Sequence, residues 1–326
     1  MSIGAFIGVF EEIVPLVPIM IVLSKKLGFD TKTGLAISIL SAGFGFSAAV
    51  TNPFTIGVAQ QLIDLPLFSG FGYRLIIFII SYIIVLTFIL YHAKKVYQKR
   101  DIALDISVSN QPQKASIIWA VVWGLILIMS ILLSPFISFL QEYNMVLIAI
   151  YFLIASIGAS IFNKTEKTIT KFFKGVLQMT PGIILILLAT GVKQVITASS
   201  VMDTILYHLA NYVDGRSNPF IVIGSYFFTL LSDFFIGSGS AKAFLMMPIL
   251  APLYDLSGIS RQLAVLAFQL GDGFSNIFYP TNAVLLVALG LANFSYTKWF
   301  KWTVLLQIIM VGMSIIFLMI GLAVGF

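Results

Sequence analysis

Five ionisable side chains fall inside otherwise apolar stretches of this sequence: Glu11, Glu12, Asp233, Lys242 and Asp272. Such groups are expensive within a membrane and mark sites of function there. Three breaks of small or polar residues stand beside them: Gly237-Ser238-Gly239-Ser240, Thr51-Asn52-Pro53 and Tyr279-Pro280-Thr281-Asn282. Proline removes a backbone donor and frees a carbonyl upstream. Freed carbonyls, Thr hydroxyls and Asn amide oxygens are the hard neutral oxygens that a sodium ion takes, and broken helices in transporters supply them. Free N–H groups at a glycine-serine break suit an anionic ligand. The candidate substrate-binding residues are therefore Glu12, Thr51, Asn52, Ser238, Gly239, Ser240, Lys242, Thr281 and Asn282, with Asn52, Asp272 and Asn282 as candidate sodium ligands. Lys242 would attract a substrate carboxylate while Glu12 takes a cationic group or a proton, or the two would pair. Asp272 would bind a cation or pair with Lys242, and Asp233 would cap the hairpin. The coupling ion is sodium or a proton, and no cofactor is expected.

The elements that must position these residues follow from composition. Of the 326 residues, 59% are hydrophobic and 10% charged, against roughly 25% charged in an average soluble domain. Apolar runs long enough for a helix to cross a hydrocarbon core, about 20 residues, recur at 75–91, 117–140, 145–162, 182–192 with its flanks, 220–231 and 304–326. Lipid offers backbone groups no partners, so each run is helical or sheltered inside protein. The N-terminal run lacks a basic start and is interrupted by Glu11 and Glu12, so it does not read as a removable signal. Cysteine is absent, which excludes disulfides and thiolate metal sites. The net charge of +6 sits in short loops and reports topology rather than nucleic-acid binding. Arg74 and Lys193 are expected to snorkel to an interface.

The loops at 94–114 and 163–174 are lysine-rich and read as cytoplasmic, as do Lys25, Lys26 and Lys32. Laid on itself at an offset of 230, the chain matches Pro18, Gly28, Gly43, Phe44, Thr51 and Asn52 with Pro248, Gly258, Gly273, Phe274, Thr281 and Asn282 without a gap. The loop at 24–32 is inside and its counterpart at 254–261 outside, so the repeats are inverted, the sequence mark of secondary transporters. The expected architecture is an all-α integral membrane protein, an inverted-repeat transporter with re-entrant hairpins and broken helices. Residues 1–95 form the C-terminal part of a truncated first repeat, 96–115 a cytoplasmic linker, and 116–326 the second repeat with a re-entrant hairpin near 220–255.

Two stretches carry a family resemblance: 46–74, with its Thr-Asn-Pro-Phe-Thr core and Ser-Gly-Phe-Gly-Tyr-Arg, and Gly237-Ser-Gly-Ser-Ala-Lys242 through Gly271-Asp-Gly-Phe-Ser to Pro280-Thr-Asn282. Together they resemble the YfcC-type branch of the anaerobic four-carbon dicarboxylate carrier family, within the ion transporter superfamily. The resemblance covers most of the chain and implies a scaffold joined to a moving transport part, a homodimer, and a multi-pass place in the cytoplasmic membrane. It also implies dicarboxylates or amino acids as substrates, including arginine/ornithine exchange. The reading is a secondary active transporter, symporter or exchanger, of a small carboxylate-bearing metabolite, an amino acid such as arginine or ornithine in first place and a dicarboxylate in second. The alternatives are an intramembrane aspartyl protease using Asp233 and Asp272, for which Gln269 spoils the Gly-x-Gly-Asp motif, and a channel.

Overall fold

The computed structural model of the chain describes residues 1–98, 114–133 and 215–326, with isolated helical positions at 147–161 and at 211. The run at 182–192, the loop at 163–174, Lys193, and most of the run at 145–162 and of the linker lie outside the described residues. Those described are helical wherever they are regular, with no strand among them.

α1 (Ser2–Ile7) ends on Gly8 at φ 82° and leads to a 3-10 turn, Glu11–Leu16, that runs into α2 (Val17–Lys26). α3 (Thr31–Leu35) continues through a π turn, Ala36–Leu40, into α4 (Ser41–Ser47). The chain breaks at 48–52 and resumes as a second π turn, Pro53–Gly57, and α5 (Val58–Leu62). α6 (Phe71–Val96) and α7 (Lys114–Leu133) follow. In the other half α8 (Asn218–Asp233) and α9 (Gly239–Leu256) are the two arms predicted around the glycine-serine break. α10 (Arg261–Gly273) tightens into a 3-10 turn, Phe274–Ile277, breaks at 278–282, and is followed by α11 (Ala283–Leu291) and α12 (Tyr296–Val324). α6 and α12, with 26 and 29 residues at mean hydropathy 2.5, are long and apolar enough to cross a membrane.

The chain turns twice in the same way. After α2, Gly28 takes φ 87° and the Phe29 amide donates to the Ser24 carbonyl at 2.9 Å. After α9, Gly258 takes φ 66° and the Ile259 amide donates to Tyr254 at 2.8 Å. Both are left-handed C-caps closed by a bond back to the last turn. Each is followed by a capping side chain: Asp30 accepts from the Thr33 amide at 2.9 Å and Ser260 from the Gln262 amide at 3.2 Å.

The core lies where α4 and α10 cross. The Phe44 and Phe274 rings meet with centroids 5.4 Å apart. A Cβ on Gly43 would stand 2.1 Å from Ile277 Cγ2, and one on Gly273 would stand 2.3 Å from Ser47 Cα. Small residues let helix backbones approach this closely where lipid supplies no hydrophobic driving force.

Arg74 is a correction to the sequence reading. It does not snorkel; it is fully buried, its guanidinium donating to Gln269 and, at 3.4 Å, to Gln262. Gln269 donates in turn to the carbonyls of Ser47 at 3.0 Å and Ala49 at 2.8 Å. The end of α4 leaves carbonyls without helical partners inside the protein, and this relay from α6 through α10 supplies the donors.

Candidate functional site

A cavity of about 190 Å³ opens between the glycine-rich ends of the two halves. Gly8, Phe10 and Glu11 line it from the junction of α1 and the first 3-10 turn, and Gly237 to Ser240 from the junction of α8 and α9; Phe46, Phe54 and Asn276 complete it. Ser240 Oγ donates to the Phe54 carbonyl at 2.6 Å, tying the tip of the second hairpin to the break after α4. Ser238 is the N-cap of α9, its Oγ accepting from the Ala241 amide at 3.4 Å. The positive end of an 18-residue helix thus faces the cavity.

The two asparagines of the breaks stand on either side. Asn52 is fully buried; its Oδ1 accepts from the Phe54 amide at 2.8 Å, and its Nδ2 has no hydrogen-bond partner among the described residues. It packs against Gly8, where a Cβ would come within 2.3 Å of Oδ1. Asn282 Oδ1 accepts from the Leu285 amide at 3.1 Å, and its Nδ2 donates to Asn276 Oδ1 at 2.9 Å. Asn276 donates to the Asp272 carbonyl at 3.0 Å, so the second break reaches the cavity through Asn276.

Beneath the tip of α9 lies a buried charged trio. The Lys242 ammonium is ion-paired with Asp233, the last residue of α8, and with Asp272 Oδ1 of α10 at 2.6 Å. Ser275 Oγ donates to Asp233 Oδ2 at 2.5 Å. Buried charges persist only when paired and hydrogen-bonded, and the trio clamps both arms of the hairpin to α10.

The cavity brings together Ser238, Gly239 and Ser240 directly, with Asn52 and Asn282 one contact behind its wall. Other predicted residues fall elsewhere. Thr51 bonds the Phe6 carbonyl at 3.1 Å, and Thr281 is exposed and lines no part of the cavity. Lys242 lies under the tip, its ammonium turned to the carboxylates rather than to a ligand. The Glu12 side chain lies outside what the structure describes. Asp272 pairs with Lys242, as one of the two expected roles had it, and Asp233 does more than cap the hairpin, meeting the same ammonium. The three candidate sodium ligands form no common cage: Asn52 and Asn282 turn their oxygens to backbone amides, and Asp272 meets an ammonium. Among the described residues no cluster of three His, Asp or Glu side chains is placed to hold a metal.

Glu11, singled out in the sequence as an ionisable group in an apolar stretch, lines the cavity, whereas Phe10, Phe46, Phe54 and Asn276 were missed. Asn276 was findable: it is a polar side chain in an apolar run, 230 positions after Phe46. Thr55 was also missed; it is buried next to Gly239, its hydroxyl without a hydrogen-bond partner among the described residues.

The chain is similar to known proteins over most of its length. Residues 1–323 match the profile of a family described as C4-dicarboxylate anaerobic carrier. The chain is 30% identical over 329 residues to YfcC of Escherichia coli K12, covering 91% of this chain and 63% of that protein, whose name provisionally calls it a basic amino acid antiporter. It is 25% identical over 313 residues to a Haemophilus influenzae protein without an assigned function, covering 92% and 61%. The chain thus spans less than two thirds of the length of these curated relatives. Among solved structures, the YdaH transporter of Alcanivorax borkumensis superposes with a TM-score of 0.77 at 16% identity, over 100% of this chain and 77% of that one.

Proposed function

The chain belongs to the C4-dicarboxylate anaerobic carrier family, and from that premise we propose that it forms the substrate-binding core of a secondary transporter that exchanges a cationic amino acid. The family and the named relatives are transporters, not enzymes, and such a protein is a membrane protein. The intramembrane protease alternative is abandoned on geometry as well. A catalytic carboxylate pair must face one substrate bond, whereas Asp233 and Asp272 face the Lys242 ammonium.

The observation that carries the proposal is a single cavity walled by the glycine-rich tips of both halves. Three pairs at the core crossing support an internal pseudo-two-fold: Phe44 with Phe274, Gly43 with Ile277, and Ser47 with Gly273. The first pair joins residues 230 apart, and the other two exchange under the same offset. The twin C-caps at Gly28 and Gly258 obey it too. We read two inverted repeats whose re-entrant tips share one ligand, which rocking then exposes to alternate sides.

The lining favours a cationic side chain over a second carboxylate. Among the described residues, Glu11 is the charged group on the cavity wall, beside Phe10, Phe46 and Phe54, and aromatic rings are partners that a cation takes. The substrate's own carboxylate would take the amide end of α9 and the Asn52 Nδ2 amide. Coupling is to a sodium or proton gradient or to counter-exchange, and the protein works as a homodimer in the cytoplasmic membrane.

The test is counterflow in proteoliposomes with labelled arginine, ornithine, aspartate and succinate, each with and without sodium. Saturable trans-stimulated uptake of arginine and ornithine is expected. Flux without saturation or trans-stimulation would make the protein a channel, and exchange of none of the four solutes would refute the reading.

A further inference from the structure

Two carboxylates share one ammonium beneath the cavity. Asp272 spends Oδ1 on Lys242, while Oδ2 looks toward Gly239, where a Cβ would lie 3.0 Å from it. On the same side of Gly239 lies Thr55: that Cβ would stand 2.9 Å from Thr55 Cγ2, and the Thr55 hydroxyl is buried without a hydrogen-bond partner among the described residues. Gly239 also lines the cavity. Gly239 therefore stands between the cavity and two groups packed behind it, a carboxylate oxygen of Asp272 and the Thr55 side chain, which meets it through Cγ2. Counting formal charges, the trio of Asp233, Lys242 and Asp272 is one positive charge short of neutral. The other buried cation among the described residues, Arg74, is engaged with glutamine oxygens and touches neither carboxylate.

We infer that Asp272 Oδ2 and the Thr55 hydroxyl form a subsite for the distal cationic group of the substrate, an ammonium or guanidinium carried by an amino acid. The inference rests on the transport reading above and deepens it by naming what selects the side chain. Lys242 then acts as the resident counter-ion of the same carboxylates. The incoming cation reaches Asp272 past the hydrogen-only face of Gly239 as the hairpin tip shifts, and it supplies the missing positive charge. A buried charge paired in this way discriminates strongly, because an analogue lacking the charge leaves the site's polar groups unpaired.

The experiment compares arginine with citrulline, which has nearly the same shape but no charge, and with succinate. Ligand-induced thermal stabilisation of the purified chain reads binding without transport, and counterflow reads exchange. Wild type is expected to prefer arginine over citrulline by about tenfold or more, the factor that ~1.4 kcal/mol supplies. Asp272→Asn should bring that ratio below about threefold, by weakening arginine and relieving the penalty on citrulline. This variant keeps Asp233 on Lys242, so the ammonium retains a counter-charge. Should it fail to fold, Thr55→Ala decides, with a smaller fall in the same ratio. A ratio unchanged in the folded variant overturns the inference. Binding and exchange of succinate with indifference to arginine also overturns it, while leaving the transporter reading intact; no response to any solute sinks both.

Discussion

Replacing Lys242 by methionine keeps the length and apolar stem of the side chain but removes the ammonium. Asp233 and Asp272, each at most 1% exposed at the side chain, then face one another's charge without a cation between them. Removing one partner of a buried ion pair costs about 3–5 kcal/mol, because it leaves an uncompensated charge. With two carboxylates stranded, Lys242→Met belongs at the upper end of that range. Folded proteins hold about 5–15 kcal/mol in all, so the loss is a third or more of the total. At roughly 2–4 °C per kcal/mol the melting temperature falls by the order of 10 °C. Tryptophan fluorescence of the detergent-purified chain, heated at one fixed rate for all variants, measures the shift. The triple variant Asp233→Asn/Lys242→Met/Asp272→Asn should recover most of it, since neutral replacement of a buried ion cluster is often stability-neutral. Lys242→Met melting with wild type would mean the ammonium is not where the structure has it. A triple variant no better than Lys242→Met would mean packing, not charge, sets the cost.

Two further perturbations follow. Gly273→Ala drives a methyl group toward the Ser47 backbone at 2.3 Å and should cost about 1–3 kcal/mol or more by overpacking. Gly224→Ala, where nothing lies within 4 Å, should be harmless or slightly stabilising, and the same melting assay compares them. At the loop before α3, burial pushes the Asp30 carboxyl up, but bonds from the Thr33 amide and hydroxyl and from His92 outweigh it and hold it below its ordinary value of 3.8. A folded value below the unfolded one gives stability that is complete above the unfolded value and lost as pH falls through the depressed one. Asp30→Ala should cost about 1 kcal/mol at neutral pH through the lost cap and flatten the acid limb of a melting-temperature-against-pH curve, whereas Asp30→Asn keeps the cap and loses only the acid limb.

The helical arms, the breaks at Thr51-Asn52 and Thr281-Asn282 and the glycine-serine tip were legible because each is a local interruption of an apolar run, and proline, glycine and asparagine announce it within a few residues. The chemistry of those breaks was less legible. An asparagine at a helix start offers the same oxygen to a ligand and to the second or third amide of the next turn, and spacing alone does not say which is served. Asn52 and Asn282 serve the amides; Asn282 Nδ2 is taken by Asn276, and Asn52 Nδ2 is left without a hydrogen-bond partner among the described residues. Of the trio at Lys242, the pairing with Asp272 was one of the roles foreseen, and the part of Asp233 was hidden for another reason. The members of the trio are 9 and 30 residues apart, and only the crossing of α8, α9 and α10 makes them neighbours. Arg74 read as an interfacial residue because nothing nearby in the sequence asks for a donor; the need arises in the carbonyls that end α4.

The glycines at the crossing of α4 and α10 have a mechanical consequence. Where a single hydrogen atom fills the gap between two backbones, neither rod can slide along the other without collision, and close packing leaves little slack to absorb a displacement. The pair is held as one rigid unit: a push delivered to one broken rod is handed on to its twin.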